Sequence, residues 1–226
     1  ATVRAHDRGE LDAGSLFPNI VERWADVGEP DRTTGIARDV VLVHLGSMSN
    51  LFAALAWTIV DAVSDPAVLG RLIDHEEGLA ERCALESTRL AQRSIMLRAV
   101  TRPVTVDDGE HTYSVAPGAS AATLLPLLNT TAAPGLDRYD PDRWQRRRLR
   151  DEATLPAREL VTAFGHGSHT CPAQPFSLAA MSRTLTHLVD TFALEPPAVP
   201  PSPLAEQIGG VARGAAPCLL PYRRRD

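Results

Sequence analysis

Phe164-Gly165-His166-Gly167-Ser168-His169-Thr170-Cys171-Pro172-Ala173 decides how the rest of this 226-residue chain is read. An aromatic residue is followed by two glycines around a histidine, then by His169 and Cys171. A helical pattern starts at once. Leu178, Met181, Leu185, Leu188 and Phe192 recur at three- and four-residue steps and fall on one helix face. Pro172 and Pro175 suit a first helical turn, where no amide donor is needed. Cys171 therefore sits where a glycine loop enters a helix N-terminus, and free amides and the helix dipole there favour a thiolate. Glycines let a loop wrap a sulfur and lie close against a flat ligand. Two other readings of the same residues stay open. Cys171 could be a buried small hydrophobe, or His166, His169 and Cys171 could hold a metal ion, although a fourth ligand is not evident.

Taken together, the spacing of Phe164, Gly167, His169 and Cys171 resembles the haem-binding loop of the cytochrome P-450 family. That family commonly has Gly two residues after the cysteine, where this chain has Ala173. The resemblance implies haem b (iron protoporphyrin IX) as cofactor, with Cys171 as the thiolate ligand of its iron. It also implies that Phe164, Gly167 and His169 line the cofactor.

Composition agrees with a globular protein: 44% of residues are hydrophobic and 23% charged. The net charge of −5 gives no sign of nucleic acid or of an anionic membrane surface as partner. All basic side chains other than histidine are arginine. Cys83, Cys171 and Cys218 are odd in number and far apart, which argues against a disulfide framework or a zinc ribbon. No apolar run is expected to reach the roughly 18 residues of a spanning helix. The polar start, with Arg4, His6, Asp7 and Arg8, carries no signal-peptide pattern, and the expectation is a cytoplasmic protein.

Along the chain, residues 1–37 read as a leading helical segment with a short apolar helix at Ile20–Trp24. Ile36–Val63 is the longest apolar element, and it is apolar on most faces, as a central helix is. Ser64-Asp65-Pro66 ends it and caps a second helix expected to run to Glu77. A third, Leu79–Met96, carries Glu86 and Arg89 three residues apart on one face. Such pairs are common on surface helices and stabilise little there. A β region follows: Arg98–Val106 alternates, Asp108-Gly109 turns, and His111–Val115 returns. Arg146, Arg147, Arg148 and Arg150 read as a solvated basic face that could dock an acidic electron donor. Pro196–Pro203 is a loop, and Ala205–Arg223 reads as short strands. The fold class is mainly α with small β-sheets (α+β).

The same family resemblance extends over residues 38–226 as a haem-binding partial domain. The Glu86–Arg89 helix, the hairpin, Tyr139-Asp140-Pro141-Asp142-Arg143-Trp144, the cysteine loop and the terminal hairpin follow the order of the family's C-terminal half. It implies a structural triad of Glu86, Arg89 and Arg143, and an Arg98 that reaches a haem propionate. It also aligns Gly46-Ser47-Met48-Ser49-Asn50 with the family's proton-delivery segment. There Ser49 and Asn50 replace the acid and the threonine, and neither titrates near neutral pH. The activity implied is a monooxygenase acting on a lipophilic small molecule, with a ferredoxin or flavoprotein reductase as donor. A haem-thiolate isomerase or peroxygenase without an electron donor is the alternative, as is an inactive truncated fragment.

Overall fold

The computed structural model describes residues 2–10, 16–145 and 161–225, and they form two compact units, one up to Ser49 and one from Asn50 on. The division falls inside a single helix. The first unit holds α1 (Thr2–Asp7), α2 (Leu16–Arg23) and the first half of α3 (Asp31–Ser64). Val3, Val21 and Ile36 are its buried residues, with Phe17, Ile20 and Trp24 packed on them. The Trp24 indole lies so close over Gly35 that a β-carbon there would overlap its ring, and its Nε1 donates to Asp39 Oδ2 at 2.7 Å. Arg32 pairs with Asp7 at 2.8 Å.

In the second unit Asp65 caps α4 (Pro66–Ile73), accepting from the amides of Ala67 and Val68. α4 stops four residues short of the expected Glu77. His75 adopts a left-handed φ of 56°, which an α-helix does not accommodate. α5 (Leu79–Ala91) likewise ends before the expected Met96. Gln92 turns extended, and its side-chain oxygen accepts from the amides of Arg93 and Ser94, so a local bond replaces the next helical ones. Met96 belongs instead to β1 (Ile95–Ala99). β2 (Val104–Asp107) and β3 (Thr112–Val115) form the expected hairpin, and β4 (Ser120–Leu124) returns to pair antiparallel with β1. The turn at Pro117-Gly118 uses Gly118 at φ 89°. A short α6 (Leu125–Thr131) follows, which the sequence reading did not anticipate.

A 3₁₀ turn at Pro141–Trp144 and another at Gly167–His169 precede α7 (Gln174–Thr191). α7 buries Leu178, Met181, Leu185 and Val189, while Leu188 is only partly buried. Phe192 has left the helix for β5 (Phe192–Leu194), which pairs with β6 (Tyr222–Arg224). α5 packs against α7 and the 3₁₀ turn at Pro141–Trp144, and the main buried cluster joins Ala53, Ala84, Leu85, Trp144, Met181 and Val211.

α3 departs from one expectation. It contains an 18-residue window of mean hydropathy 1.6 with at most two charged residues, and so is long and apolar enough to cross a membrane by length and composition. The single polar residues His44, Ser47, Ser49 and Asn50 interrupt the apolar run without lowering its mean below that mark.

Candidate functional site

The sequence pair Glu86–Arg89 is fully buried on α5, so it is no surface pair. Arg89 Nε donates to Glu86 Oε2 at 2.8 Å and its Nη2 to Oε1 at 2.6 Å. Arg143 Nε reaches the same carboxylate at 2.9 Å, Trp144 Nε1 donates to it at 2.8 Å, and the Asp140 amide at 3.1 Å. One carboxylate thus faces two guanidiniums, an indole and an amide, which is what a buried ion needs in order to persist. Arg89 also donates to the backbone carbonyls of Asn129, Leu136 and Arg138. Outside this network, Arg71 holds Asp142 at 2.7 Å and Glu76 at 2.6 Å, anchoring the Pro141–Trp144 turn to α4. Glu76, more exposed than the trio, is held near a pKa of about 2 by the hydrogen bonds and charge of Arg71 and Arg82.

Two side chains that the sequence reading passed over connect this network to the cysteine loop. Asn129, fully buried in α6, donates from Nδ2 to the carbonyls of Arg89 (2.9 Å) and Thr162 (2.8 Å). Its Oδ1 accepts from the Thr162 amide at 2.9 Å. Gln92 donates to the carbonyl of Ala163 at 3.2 Å. No local signal marks either residue in the sequence: α6 is not anticipated there, and Gln92 lies just past the end of α5.

The loop is closed on itself. The Cys171 amide donates to the Phe164 carbonyl at 2.8 Å, the Gly165 amide to Thr162 Oγ1 at 2.7 Å, and His166 Nε2 lies 3.1 Å from the Val161 carbonyl. Gly165 (φ 84°) and Gly167 (φ 61°) supply the left-handed turns. Phe164 is partly buried and packs on the main core. Cys171 is partly exposed, three residues before α7. His166 is tied back to the loop's own backbone, and the side chain of His169 lies outside the described residues, as does the run Arg146–Arg150.

These residues fit a flat cofactor held by one sulfur. Apart from Gly167 and its two chain neighbours, nothing lies within 4 Å of where a β-carbon on Gly167 would be, which leaves open space for a planar group on that side of the loop. Among the described residues no three His, Cys, Asp or Glu side chains cluster as a metal-only site would require. Arg98 lies exposed on β1, bonded only to the Leu97 carbonyl and, loosely, to Met96 sulfur. Among the described residues it has no carboxylate partner. A cavity of about 430 Å³ opens beside the loop, lined by Trp144, Ala163, Phe164, His166 and Gln174, but neither Cys171 nor Arg98 faces it.

Ser49 is exposed on α3. Asn50 is exposed too, and its Oδ1 accepts from the Val211 amide at 3.0 Å. That bond ties α3 to the Gly209-Gly210 turn, where Gly210 (φ 64°) leaves no room for a side chain beside Asn50. The Nδ2 of Asn50 has no partner among the described residues.

No family model matches this sequence, and no curated protein matches it. Solved structures do. A cytochrome P450 from Thermus thermophilus, CYP175A1, superposes with a TM-score of 0.65 at 21% identity, over 99% of this chain and 54% of that one. A 6-coordinated cytochrome P450 from another strain of Thermus thermophilus gives 0.60 at 22% identity, over 78% and 45%. The chain therefore shares the cytochrome P450 fold, and it spans about half the length of these solved chains.

Proposed function

We propose that this chain is the haem-binding half of a haem-thiolate oxidoreductase, with Cys171 as the iron ligand. The observation that carries the reading is the unbroken hydrogen-bonded path from the buried Glu86 trio through Asn129 and Thr162 to the cysteine loop. A path of this kind holds a single sulfur in place, as a metal ligand requires. Phe164, Gly167 and His169 would lie against the cofactor, and Arg98 would meet a propionate, whose geometry a guanidinium fork matches. Bound there, haem b would supply the oxidising chemistry that amino-acid side chains lack. The residues of the chain would hold it and keep the loop closed through the Cys171 amide on the Phe164 carbonyl.

In this reading the substrate is a lipophilic small molecule, and one oxygen atom is inserted into it with electrons from a ferredoxin or flavoprotein. The protein is read as cytoplasmic, and the C-terminal half of α3 as a packed helix of it: Thr58 and Ala54 are buried, and Trp57 Nε1 donates to the Ala212 carbonyl at 2.6 Å. A second reading, a peroxygenase or isomerase that takes no electrons, is favoured by Ser49 and Asn50. Neither can relay a proton as a carboxylic acid does, but the Asn50 amide can still donate to an oxygen. The third reading is an inactive truncated fragment that binds haem weakly or not at all.

The test is the ferrous–carbonyl spectrum of the haem-loaded chain and of Cys171→Ser. We expect a thiolate-type red-shifted band in the first and its loss in the second, because a hydroxyl is a far weaker donor than a thiolate. An unchanged band in Cys171→Ser would remove Cys171 from the role. Absence of haem uptake by the native chain would leave only the fragment. Turnover with peroxide against turnover with a surrogate reductase then separates the first two readings.

A further inference from the structure

We propose that Asn129 is the positioning residue of the cysteine loop: it couples the buried Glu86–Arg89 pair to the segment at Thr162 that leads into the loop. The proposal deepens the reading above, but its first test does not need haem.

The geometry is a two-sided clamp. The Asn129 side chain presents the same donor and acceptor pair as a backbone amide and engages both polar groups of Thr162, as a neighbouring strand would. Its remaining Nδ2 proton goes to the Arg89 carbonyl on α5, while its own backbone carbonyl accepts from the Arg89 guanidinium. Both amide protons and the oxygen of this fully buried side chain are therefore engaged with α5 and the Thr162 segment, and none within α6. Thr162 passes the restraint on, since its Oγ1 receives the Gly165 amide at the first left-handed turn of the loop. From there the Phe164 carbonyl holds the Cys171 amide. Asn129 holds Thr162 by two hydrogen bonds and each later link is one, so removing Asn129 loosens the loop at its root and leaves Gln92 on the Ala163 carbonyl as the remaining side-chain tie to α5. The ion trio is left with its own bonds to Glu86 intact.

A purely structural asparagine would lower stability throughout the unit. A positioning asparagine loosens one segment. Amide hydrogen exchange on the full chain without haem distinguishes them. In the native chain the Thr162 amide should exchange more slowly than its neighbours in 163–170. In Asn129→Ala, peptides covering 161–171 should exchange roughly tenfold faster, because about three buried hydrogen bonds are lost locally. Peptides from α7 should stay as they were. Asn129→Asp, which is isosteric but turns a carboxylate toward two carbonyls, should show the same pattern. With haem bound, both variants should convert the carbonyl band from thiolate-type to thiol-type while Cys171 remains. Equal acceleration in α7 and the loop, an unchanged loop, or a fast Thr162 amide in the native chain would overturn the proposal. These outcomes stand whether or not the chain binds haem.

Discussion

Glu86 carries more of this structure than any other side chain, because it is fully buried and its one negative charge is shared by Arg89, Arg143 and Trp144. Replacing it with alanine leaves the fully buried Arg89 guanidinium without a counter-charge and Arg143 with only Asp140, 3.7 Å away. Glu86→Ala should therefore lose roughly 3–5 kcal/mol in chemical denaturation. A loss under about 1 kcal/mol is what a solvent-screened pair would give, and would contradict the burial. Asp61 on α3 titrates by the opposite logic. Burial pushes its carboxyl up to about 6, opposed by the nearby Ser87 hydroxyl and helped by the charge of Glu86. The folded state thus binds a proton that the unfolded chain releases near pH 4. The stability Asp61 contributes is complete below about pH 4 and is lost as pH rises through about 6. The loss should amount to at most about 3 kcal/mol. Asp61→Asn should flatten that fall in a pH series of melting curves. A fall of the same size in the variant would assign the titration to another group.

Among the elements, the Gly209-Gly210 turn shows how a chain end is fixed by contacts that no local pattern announces. Gly210 has φ 64°, and a β-carbon on it would strike the Asn50 side chain. The turn is also held by the Gly210 amide on Ser94 Oγ and by the bridge between Gln92 and Val211. Gly210→Ala should cost about 1–3 kcal/mol from the left-handed backbone and the overlap together. Asn50→Ala should recover part of that loss when combined with it, because the overlap disappears while the strain remains. Thermal melting of the two single variants and the double variant checks this, and strict additivity would mean that the side chains do not meet.

At the scale of the whole molecule, the unusual surface is the first part of α3. Val41, Leu42, Val43 and Leu45 are 55%, 67%, 45% and 63% exposed, and Phe52 is 56% exposed. Consecutive exposed positions point in different directions around a helix, so more than one face is uncovered. An apolar surface of this kind is where proteins associate. In isolation the chain should self-associate at micromolar concentration and bind an apolar dye. Leu42→Glu with Leu45→Glu should suppress both without lowering the melting temperature. Sedimentation of a monodisperse monomer by the unaltered chain would refute this.

What the sequence determined by itself is whatever follows from spacing within one element. Glu86 and Arg89 are three residues apart on a helix and must share a face, Asp65-Pro66 must start α4, and Gly165 and Gly167 must turn the loop before Cys171. Arg143 was legible only through the resemblance of its segment, since nothing local ties it to residue 86. Apart from Arg143, contacts between positions thirty or more residues apart were decided by the structure. Asn129 meets Thr162 across 33 residues, and Asn50 meets Val211 across 161. The helix ends at Ile73 and Ala91 were likewise decided by a left-handed backbone and a side-chain bond, which hydrophobic periodicity does not register. The physical reason is common to these cases. Periodicity reports which face of an element is apolar, whereas a buried amide or carboxylate is tolerated only where distant backbone groups converge on it. That convergence exists only once the chain has folded.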